Sequence, residues 1–483
     1  MTTITADHTH DHSAMVNRLL EDPGCYADLD YMAGFELDRA DVEAIHLHGT
    51  QKRFRDLHGR IGVLKKMAEE QGISDIAALN DVVPLLFPHT MYKSYPLSYI
   101  EKGRFDRLTR WLQGLTTIDL SGALGDEVDS IDAWIKRLDD TTEMQLMHTS
   151  GTTGKLSFLP RARKVAEARF VMLARIIRDW DGRGTGPDLL AEARPIIYPS
   201  YRYGSSAQHR GVEIMLKLFA KSEDNLLCLY PDEAFSADIA SLAGRLRAAE
   251  DRGEQGALEL APGLLARRDE FLKREAERGA RLEAFFAEAE RRYKGRDVLV
   301  FSMWPMLYDW AVAGKERGFR HLFGPGSVVN SGGGNKGRDL PDDARDTIID
   351  FLGFDHVLEF YGMSEMSGNC RKCEHGNYHI PPFTVPFVLD PDTGEAMPRE
   401  GFQTGRFAFL DLLPDTSWGG FISGDRVTVG WWDVPCGCGR KGPYLLPDIQ
   451  RYSELQGGDD KISCSGAPAA QDRAIQYLAE LGS

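Results

Sequence analysis

The segment His148-Thr-Ser-Gly-Thr-Thr-Gly-Lys155 is small, flexible and rich in hydroxyl groups, and it decides how the rest of the chain is interpreted. It follows the strand-like run MQLMHTS and precedes the helix-like run RKVAEARFVMLARIIRDW. Backbone N–H groups, hydroxyls and an ammonium in such a loop can surround a polyphosphate. The spacing excludes a Walker A loop, since two residues separate Gly151 from Gly154 and Leu156 follows Lys155. Taken alone, the loop is also compatible with an ordinary surface turn.

The composition excludes several classes of function. The chain has 483 residues, of which 73 are acidic and 57 basic, and its formal net charge is -16. Nucleic acids and anionic membranes repel such a surface, so we expect neither as a partner. The N-terminus lacks a signal-peptide pattern and no run of about 18 apolar residues follows, which predicts a cytoplasmic protein. Seven cysteines, bunched toward the C-terminus, do not suggest a secreted disulfide framework.

The pattern along the chain predicts an α/β protein. Residues 1–139 are mostly helix-like, although Pro84, Pro88 and Pro96 forbid one long helix in that part. Residues 140–410 alternate short β-rich runs with helices, as layered α/β folds do, and they contain a charged helical insertion at about 233–295. Residues 411–483 predict β structure and loops, with a short helix in AAQDRAIQYLAEL.

Three further motifs follow the first loop in a fixed order. They are SGGGNKG at 331–337, EFYGMSEM at 359–366 and SGDRV at 423–427. With the TSGTTG loop, this series resembles the adenylate-forming superfamily of acyl-CoA synthetases, adenylation domains and luciferases. The resemblance implies a large adenylate-forming domain of layered sheets and helices, with 140–410 as its ATP-binding core. It also implies an ATP-dependent ligase that activates a carboxylic acid as acyl-AMP.

The resemblance gives the two loops roles in binding ATP. The first loop would hold the β- and γ-phosphates, and the glycines after Ser331 would let the backbone close on the adenine face. The residues that it assigns to these loops are Thr149, Ser150, Gly151, Thr152, Thr153, Gly154, Lys155, Gly332, Gly333 and Gly334. Lys155 is also a candidate catalytic residue.

The other two motifs would surround the base, the ribose and the metal ion. The residues assigned to this part of the nucleotide site are Tyr361, Gly362, Ser364, Glu365, Asp425 and Arg451. Tyr361 would stack on the base, and Ser364 would lie near the α-phosphate. Glu365 would bind Mg²⁺, which prefers oxygen ligands shared with phosphate, and Asp425 would bind the ribose hydroxyls. The alternatives are a surface carboxylate for Glu365 and a turn residue for Asp425.

The end of the chain departs from the superfamily pattern. That pattern has a C-terminal lid with a lysine, whereas 58 residues (483 minus 425) follow Asp425 here and no matching lysine motif is present. The short ending resembles the branch of acyl-protein synthetases and, more distantly, phenylacetate-CoA ligases. In the acyl-protein synthetases a cysteine near the C-terminus takes the acyl group and passes it to a partner acyl reductase. Cys464 stands in the corresponding place, and a thiolate is well suited to attack an acyl-adenylate.

Several alternatives stay open. Cys464 is equally compatible with a buried core residue, in which case the acyl acceptor would be CoA. A non-catalytic scaffold that binds nucleotide is a rival from another class. Aromatic residues in SMWPMLYDW and YPSYRYGSS are candidates for the acyl pocket, although such residues are more often core.

A second group of residues has metal-ligand spacing. Two tight pairs of soft ligands, in C-x5-H and C-x-C arrangement, indicate a tetrahedral structural Zn²⁺ site beside the nucleotide motifs. The set that matches phenylacetate-CoA ligase-like relatives is Cys373, His379, Cys436 and Cys438. Cys370 is either an additional cysteine outside the ligand set or a ligand in place of His379. Reduced cysteines in loops are the alternative interpretation.

Overall fold

A computed structural model of the chain describes residues 12–125, 128–149, 155–180, 184–253, 258, 260, 262–331, 339–455 and 473–478. In these residues the α-helices are α1 (His12–Glu21), α2 (Arg39–Leu57), α3 (Gly62–Gln71), α4 (Ser98–Glu101), α5 (Phe105–Gln113), α6 (Ile131–Thr141), α7 (Arg163–Arg178), α8 (Val212–Met215), α9 (Ala237–Arg252), α10 (Pro262–Ala266), α11 (Arg268–Tyr293), α12 (Trp304–Glu316), α13 (Ala344–Leu352) and α14 (Tyr452–Leu455). The strands are β1 (Phe87–Pro88), β2 (Met147–His148), β3 (Phe158–Leu159), β4 (Ile196–Gly204), β5 (Leu226–Phe235), β6 (Leu299–Phe301), β7 (Val328–Ser331), β8 (Val357–Tyr361), β9 (Cys370–Lys372), β10 (Tyr378–His379), β11 (Thr384–Leu389), β12 (Phe402–Asp411), β13 (Gly420–Gly430), β14 (Tyr444–Leu445) and β15 (Gln450–Arg451). This order confirms the predicted α/β class.

Within the described ranges, thirteen strands form one mixed sheet. Its order is β11-β12-β13-β14-β10-β9-β8-β7-β6-β4-β5, with β1 and β15 also paired to β13. The strands from β5 to β8 are parallel, whereas β8 and β9 pair antiparallel, as do the strands from there to β11. The loop after Tyr361 therefore leaves the carboxyl end of the last parallel strand. Ligands of open α/β sheets bind outside the carboxyl ends of the parallel strands.

The parallel strands are apolar on both faces because helices cover both. Ile196, Leu299 and Val328 face the core that contains residues of α7 and α8. Their neighbours along the strands face the opposite core, which contains residues of α11, α12 and α13. Burial on both sides explains why these strands are continuous apolar runs in the sequence rather than alternating ones.

The N-terminal helices pack against the antiparallel half of the sheet. Residues of α1, α2 and α3 share one core with Phe387, Phe409 and Val427. A short 3-10 helix, Leu79–Leu85, and β1 occupy the proline-rich stretch, which confirms that no long helix forms there. The boundary proposed between residues 410 and 411 falls inside β12, which pairs with strands on both sides of it.

The helical insertion packs against a helical turn near the C-terminus. α9, α10 and α11 lie between β5 and β6, as the sequence predicts. Residues 473–478 are helical, and Ala474, Ile475 and Leu478 pack with residues of α9 and α11. Arg268 donates a hydrogen bond from Nε to the Leu478 carbonyl at 2.6 Å. Among the described helices, none has the length and apolar character needed to cross a bilayer.

Candidate active site and metal centre

A small hairpin holds the two ends of the 148–155 loop. β2 and β3 pair through Met147 with Leu159 and through His148 with Phe158. The amide of Thr149 donates to the Ser157 carbonyl at 3.1 Å, so Thr149 lies at the base of the loop. The hairpin fixes where the loop leaves and rejoins the fold.

Lys155 lies at the other end of the loop. Its ammonium donates to the Tyr95 carbonyl at 2.7 Å and lies over the Tyr95 ring, 5.5 Å from the centroid. Burial lowers the pKa of Lys155 below its ordinary value. The structure therefore gives this cation a protein partner at the N-terminal region. Its roles toward phosphate and in catalysis stay predictions.

Two arginines join the hairpin to the loop that follows β8. Arg161, two residues after β3, donates to the Ser367 hydroxyl at 2.5 Å and to the Ser364 carbonyl at 2.6 Å. Arg169 of α7 donates from Nε to the Ser367 carbonyl at 3.1 Å. The segment after the TSGTTG loop therefore lies directly against the YGMSE segment. The sequence interpretation missed both arginines.

Asp411 completes this contact from the end of β12. Its carboxylate accepts hydrogen bonds from the amides of Ser367 at 2.6 Å and Leu413 at 3.0 Å. Burial lowers the pKa of the Arg161 guanidinium, and the negative charge of Asp411 opposes that shift. The loop after β8 is thus fixed by a buried cation on one side and a buried anion on the other.

Tyr361 and Asp425 lie side by side, and Tyr361 ends β8, where the sheet changes from parallel to antiparallel pairing. The Tyr361 hydroxyl donates to Asp425 Oδ2 at 2.8 Å. Arg451 Nε lies 3.4 Å from Asp425 Oδ1, because β15 pairs with β13 in the register that places these residues opposite each other. Burial, and then the Asp425 charge, raise the pKa of the Tyr361 hydroxyl well above its ordinary value. The hydroxyl is therefore protonated at neutral pH and acts as a donor.

Glu365 lies in the same electrostatic neighbourhood. Burial raises the pKa of its carboxyl group, while the charges of Arg161 and Arg451 oppose the shift. Gly362 keeps the loop tight, because a Cβ there would lie 2.3 Å from Asn369 Oδ1. The Asp425 charge also raises the pKa of Glu365, more weakly than burial does.

Several candidates lie outside the described residues. They are Ser150, Gly151, Thr152, Thr153, Gly154, Gly332, Gly333, Gly334 and Cys464. β7 ends at Ser331, so the strand before the glycine-rich segment finishes beside β8, at the same edge of the sheet as Tyr361.

The four candidate zinc ligands converge. One ligand atom each from Cys373, His379, Cys436 and Cys438 lies within 4.8 Å of the others. The Sγ atoms of Cys373 and Cys436 are 3.8 Å apart, and Cys438 Sγ is 3.1 Å from His379 Nε2. A tetrahedral ion with Zn–S bonds of about 2.3 Å separates its sulfur ligands by about 3.8 Å. The spacing therefore fits zinc and excludes a disulfide, whose sulfurs are about 2 Å apart.

The pKa values of two of the four residues favour metal binding, whereas burial raises the pKa of the Cys438 thiol to about 11, so an ion would have to displace that proton. Burial lowers the pKa of His379 to about 4, which leaves a neutral imidazole. Burial raises the pKa of Cys436, but hydrogen bonds, first that of Asn377, bring it below the ordinary value. The Nδ1 atom of His379 is buried and has no hydrogen-bond partner in the described structure. Cys370 lies in β9, outside this cluster, so it does not take the place of His379.

Comparison with known proteins identifies the fold. No protein-family signature matches the chain, and no curated protein matches it. A 2-hydroxyisobutyryl-CoA ligase in an open conformation, in complex with 2-HIB-AMP and CoA, aligns over 86% of this chain and 76% of its own, with 15% identity and a TM-score of 0.50. The same ligase in the thioesterification state gives 16% identity over 86% and 69%, with a TM-score of 0.48. ATP-bound MatB from Rhodopseudomonas palustris gives 15% identity over 65% and 51%, with a TM-score of 0.34. The first of these similarities shows that the chain shares the fold of this CoA ligase.

Proposed function

We propose that the protein is an ATP-dependent ligase that activates a carboxylic acid as acyl-AMP and transfers the acyl group to a thiol. The observation that carries the proposal is the contact between the hairpin and the loop after β8. Arg161 joins these two segments, and Tyr361 and Asp425 lie at the start of the same loop. Residues from distant parts of the sequence thus meet beside the carboxyl end of β8, and ligands of open α/β sheets bind outside the carboxyl ends of the parallel strands.

The described residues have the chemistry that adenylation needs. A carboxylate oxygen of the acid attacks the α-phosphorus of ATP, and the bond to pyrophosphate breaks. Asp425 would bind the ribose hydroxyls, and the Tyr361 ring would lie against the base. Glu365 would hold Mg²⁺, which supplies positive charge to the phosphates. Mg²⁺ needs the ionised form of Glu365, whereas burial raises the pKa of that carboxyl group in the metal-free protein.

The thiol step has two candidate acceptors. A thiolate attacks the acyl carbonyl, AMP leaves, and a thioester forms. We propose Cys464 as the acceptor, with delivery of the acyl group to a partner acyl reductase. CoA is the alternative acceptor. The support for Cys464 is its position in the sequence, between Arg451 at the nucleotide site and the helical turn 473–478 on the insertion.

We also propose that the Cys/His cluster binds a structural zinc ion. Its four residues come from β9–β10 and from the loop before β14, so the ion would tie two loops of the antiparallel half together. The cluster is proposed to act on stability, not on the chemical step.

Acid-dependent exchange of pyrophosphate into ATP tests the adenylation step. The chain should catalyse exchange with at least one member of a panel of aliphatic and aromatic acids. Glu365→Gln should reduce that exchange roughly 100-fold or more, since it removes the carboxylate proposed to hold Mg²⁺, whose positive charge would stabilise the transferring phosphates. Glu400→Gln, an exposed glutamate, is the matched control and should leave the rate unchanged. If no acid supports exchange in the wild type, a non-catalytic scaffold becomes the better account.

Mass spectrometry tests the acceptor. After incubation with ATP and an active acid, the wild type should carry one acyl group, and Cys464→Ala should carry none while still forming acyl-AMP. Cys25→Ala is the control and should keep the adduct. If the protein stays unmodified and CoA is acylated instead, Cys464 is not the acceptor.

A further inference from the structure

We propose that Arg161 is a positioning residue for the magnesium ion of the proposed reaction. It fixes the peptide bond between Ser364 and Glu365, so that the Glu365 carboxylate lies where Mg²⁺ bound to ATP needs it. This inference rests on the proposed adenylation. Arg161 belongs to the segment that follows the TSGTTG loop, and Glu365 lies 204 positions further along the chain (365 minus 161). The arginine therefore connects the phosphate-loop segment to the candidate metal ligand.

The first contact of Arg161 is made directly before the candidate metal ligand. Its Nη2 donates to the Ser364 carbonyl at 2.6 Å. That carbonyl belongs to the peptide bond that joins Ser364 to Glu365, and a peptide unit is planar. Holding the oxygen therefore restricts the direction in which the backbone of Glu365 leaves the bond. The candidate α-phosphate residue and the candidate Mg²⁺ ligand share this one plane.

The second contact of Arg161 is made to a serine that is itself tightly held. Its Nη1 donates to the Ser367 hydroxyl at 2.5 Å, and Ser367 is 2% exposed. The Ser367 amide donates to Asp411 at 2.6 Å, and the Ser367 carbonyl accepts from Arg169 at 3.1 Å. All three polar groups of Ser367 thus have a charged partner. Ser367 is therefore a fixed point of the loop, to which Arg161 ties the Ser364–Glu365 peptide.

The shape of the guanidinium makes this connection rigid. Arg161 is 4% exposed, so water competes little for its two hydrogen bonds. A guanidinium is planar and holds its N–H donors in a fixed fork, which sets the distance between the Ser364 carbonyl and the Ser367 hydroxyl. The turn between them is also closed, because the Met366 amide donates to the Met363 carbonyl at 3.1 Å.

Magnesium is the ion for which such positioning matters. The Glu365 carboxylate forms no ion pair with another residue in the described parts of the chain, so it can bind a cation. Mg²⁺ demands near-ideal octahedral geometry, with oxygen ligands at about 2.0–2.1 Å. Residues that orient a metal ligand without touching the metal typically contribute about 10- to 100-fold to metal affinity. Loss of the Arg161 fork should therefore appear in the binding of magnesium-loaded ATP.

Calorimetric titration with ATP tests the proposal, once with excess Mg²⁺ and once with a chelator that removes it. Arg161→Lys keeps the positive charge and loses the fork. Its Kd for ATP with Mg²⁺ should rise about tenfold, whereas its Kd without Mg²⁺ should change by less than about threefold. Equal rises in both values would show a purely structural role and overturn the inference, as would two values equal to those of the wild type. Adenylation itself then stands. A wild type that binds no ATP and supports no exchange overturns the proposed function instead.

Arg169→Lys is the matched comparison, because Arg169 also contacts Ser367 and its hydrogen bond goes to the Ser367 carbonyl. It should raise the Kd for ATP with Mg²⁺ at least about threefold less than Arg161→Lys does. Equal rises in the two lysine variants would contradict the importance of the Ser364 contact.

Ser367→Ala keeps the test decisive if Arg161→Lys fails to fold. It removes one of the two acceptors of Arg161 and should raise the Kd with Mg²⁺ roughly two- to fivefold, with little change in the Kd without Mg²⁺. Ser74→Ala, at an exposed serine, is the control and should change neither value. A Ser367→Ala variant that binds ATP and Mg²⁺ as the wild type does would contradict the positioning role of Arg161.

Discussion

The loop after β8 and the Cys/His cluster are both polar sites inside the antiparallel half of the fold, but their internal bonding differs. The loop is tied by protein partners on every side, through Arg161, Asp411 and the Tyr361–Asp425 pair. The cluster brings four ligand atoms together while leaving His379 Nδ1 without a partner in the described residues. The first site is therefore held by hydrogen bonds within the protein, whereas the second places four potential metal ligands together and leaves one buried imidazole nitrogen unpaired there.

The largest effect should come from removing Arg161. Arg161→Met deletes two hydrogen bonds to the loop and removes one of the two arginines, Arg161 and Arg169, near the Asp411 charge. We expect a loss of about 3 kcal/mol in the free energy of unfolding, measured by urea denaturation. Arg110→Met, an exposed arginine, should change it by less than about 0.5 kcal/mol. Equal stabilities of the two variants would show that the loop does not depend on this contact.

Removing a ligand of the cluster should have the next largest effect. The purified protein should contain about one zinc ion per chain, and Cys436→Ser should lose it together with roughly 2 kcal/mol of stability. Elemental analysis and thermal unfolding measure the two quantities. Cys25→Ser is the control and should keep the zinc. If Cys436→Ser retains full zinc, the ion is held elsewhere.

A buried imidazole outside the cluster should make stability depend on pH. His46 is buried, burial lowers its pKa to about 3, and its Nε2–H donates to the Pro382 carbonyl at 2.9 Å. The unfolded chain takes up a proton near pH 6.5, but the folded chain does not until about pH 3. Stability is therefore lost as the pH falls through this window, by about 1.4 kcal/mol per pH unit for this residue.

His46→Gln isolates that contribution. The variant keeps a donor for Pro382 and should lose stability less steeply between pH 6 and pH 4 than the wild type. The slope should be smaller by about 1.4 kcal/mol per pH unit, measured by denaturation at several pH values. If the stability of the variant and of the wild type fell equally steeply with pH, His46 would not be neutral in the folded protein.

The smallest effect concerns the surroundings of the cluster. Asn377 donates from Nδ2 to Cys436 Sγ at 3.3 Å. Asn377→Ala should weaken zinc binding about tenfold, because hydrogen bonds to a ligand stabilise its charged form and its orientation. Competition with a coloured chelator measures this affinity. An affinity equal to that of the wild type would show that the contact does not act on the metal.

Local patterns in the sequence predicted much of the fold and the metal cluster. The short spacings of Cys373 with His379 and of Cys436 with Cys438 are visible in the chain, and the structure brings all four together. The apolar runs of the parallel strands are equally visible, because both of their faces are buried. Tyr361 and Asp425, from separate motifs, also meet as expected of one site.

The roles of the arginines depend on tertiary structure and could not be predicted in the same way. Arg161 acts only because the hairpin lies against the loop after β8, a contact between residues 206 positions apart. The sequence did contain one indication that Arg169 is buried. It lies at helical spacing among Val165, Met172 and Ile176, which are buried residues of α7. A charged residue in an apolar stripe often marks a functional contact. The assignment of the aromatic segments to the acyl pocket stays a prediction.

The most direct test of the central claim is a crystal structure with a stable acyl-adenylate analogue, such as an acyl-sulfamoyl adenosine. The account predicts the ribose hydroxyls within hydrogen-bond distance of Asp425, the Tyr361 ring against the adenine, and the sulfamoyl group beside Ser364. An adenosine bound away from the loop after β8 would contradict it.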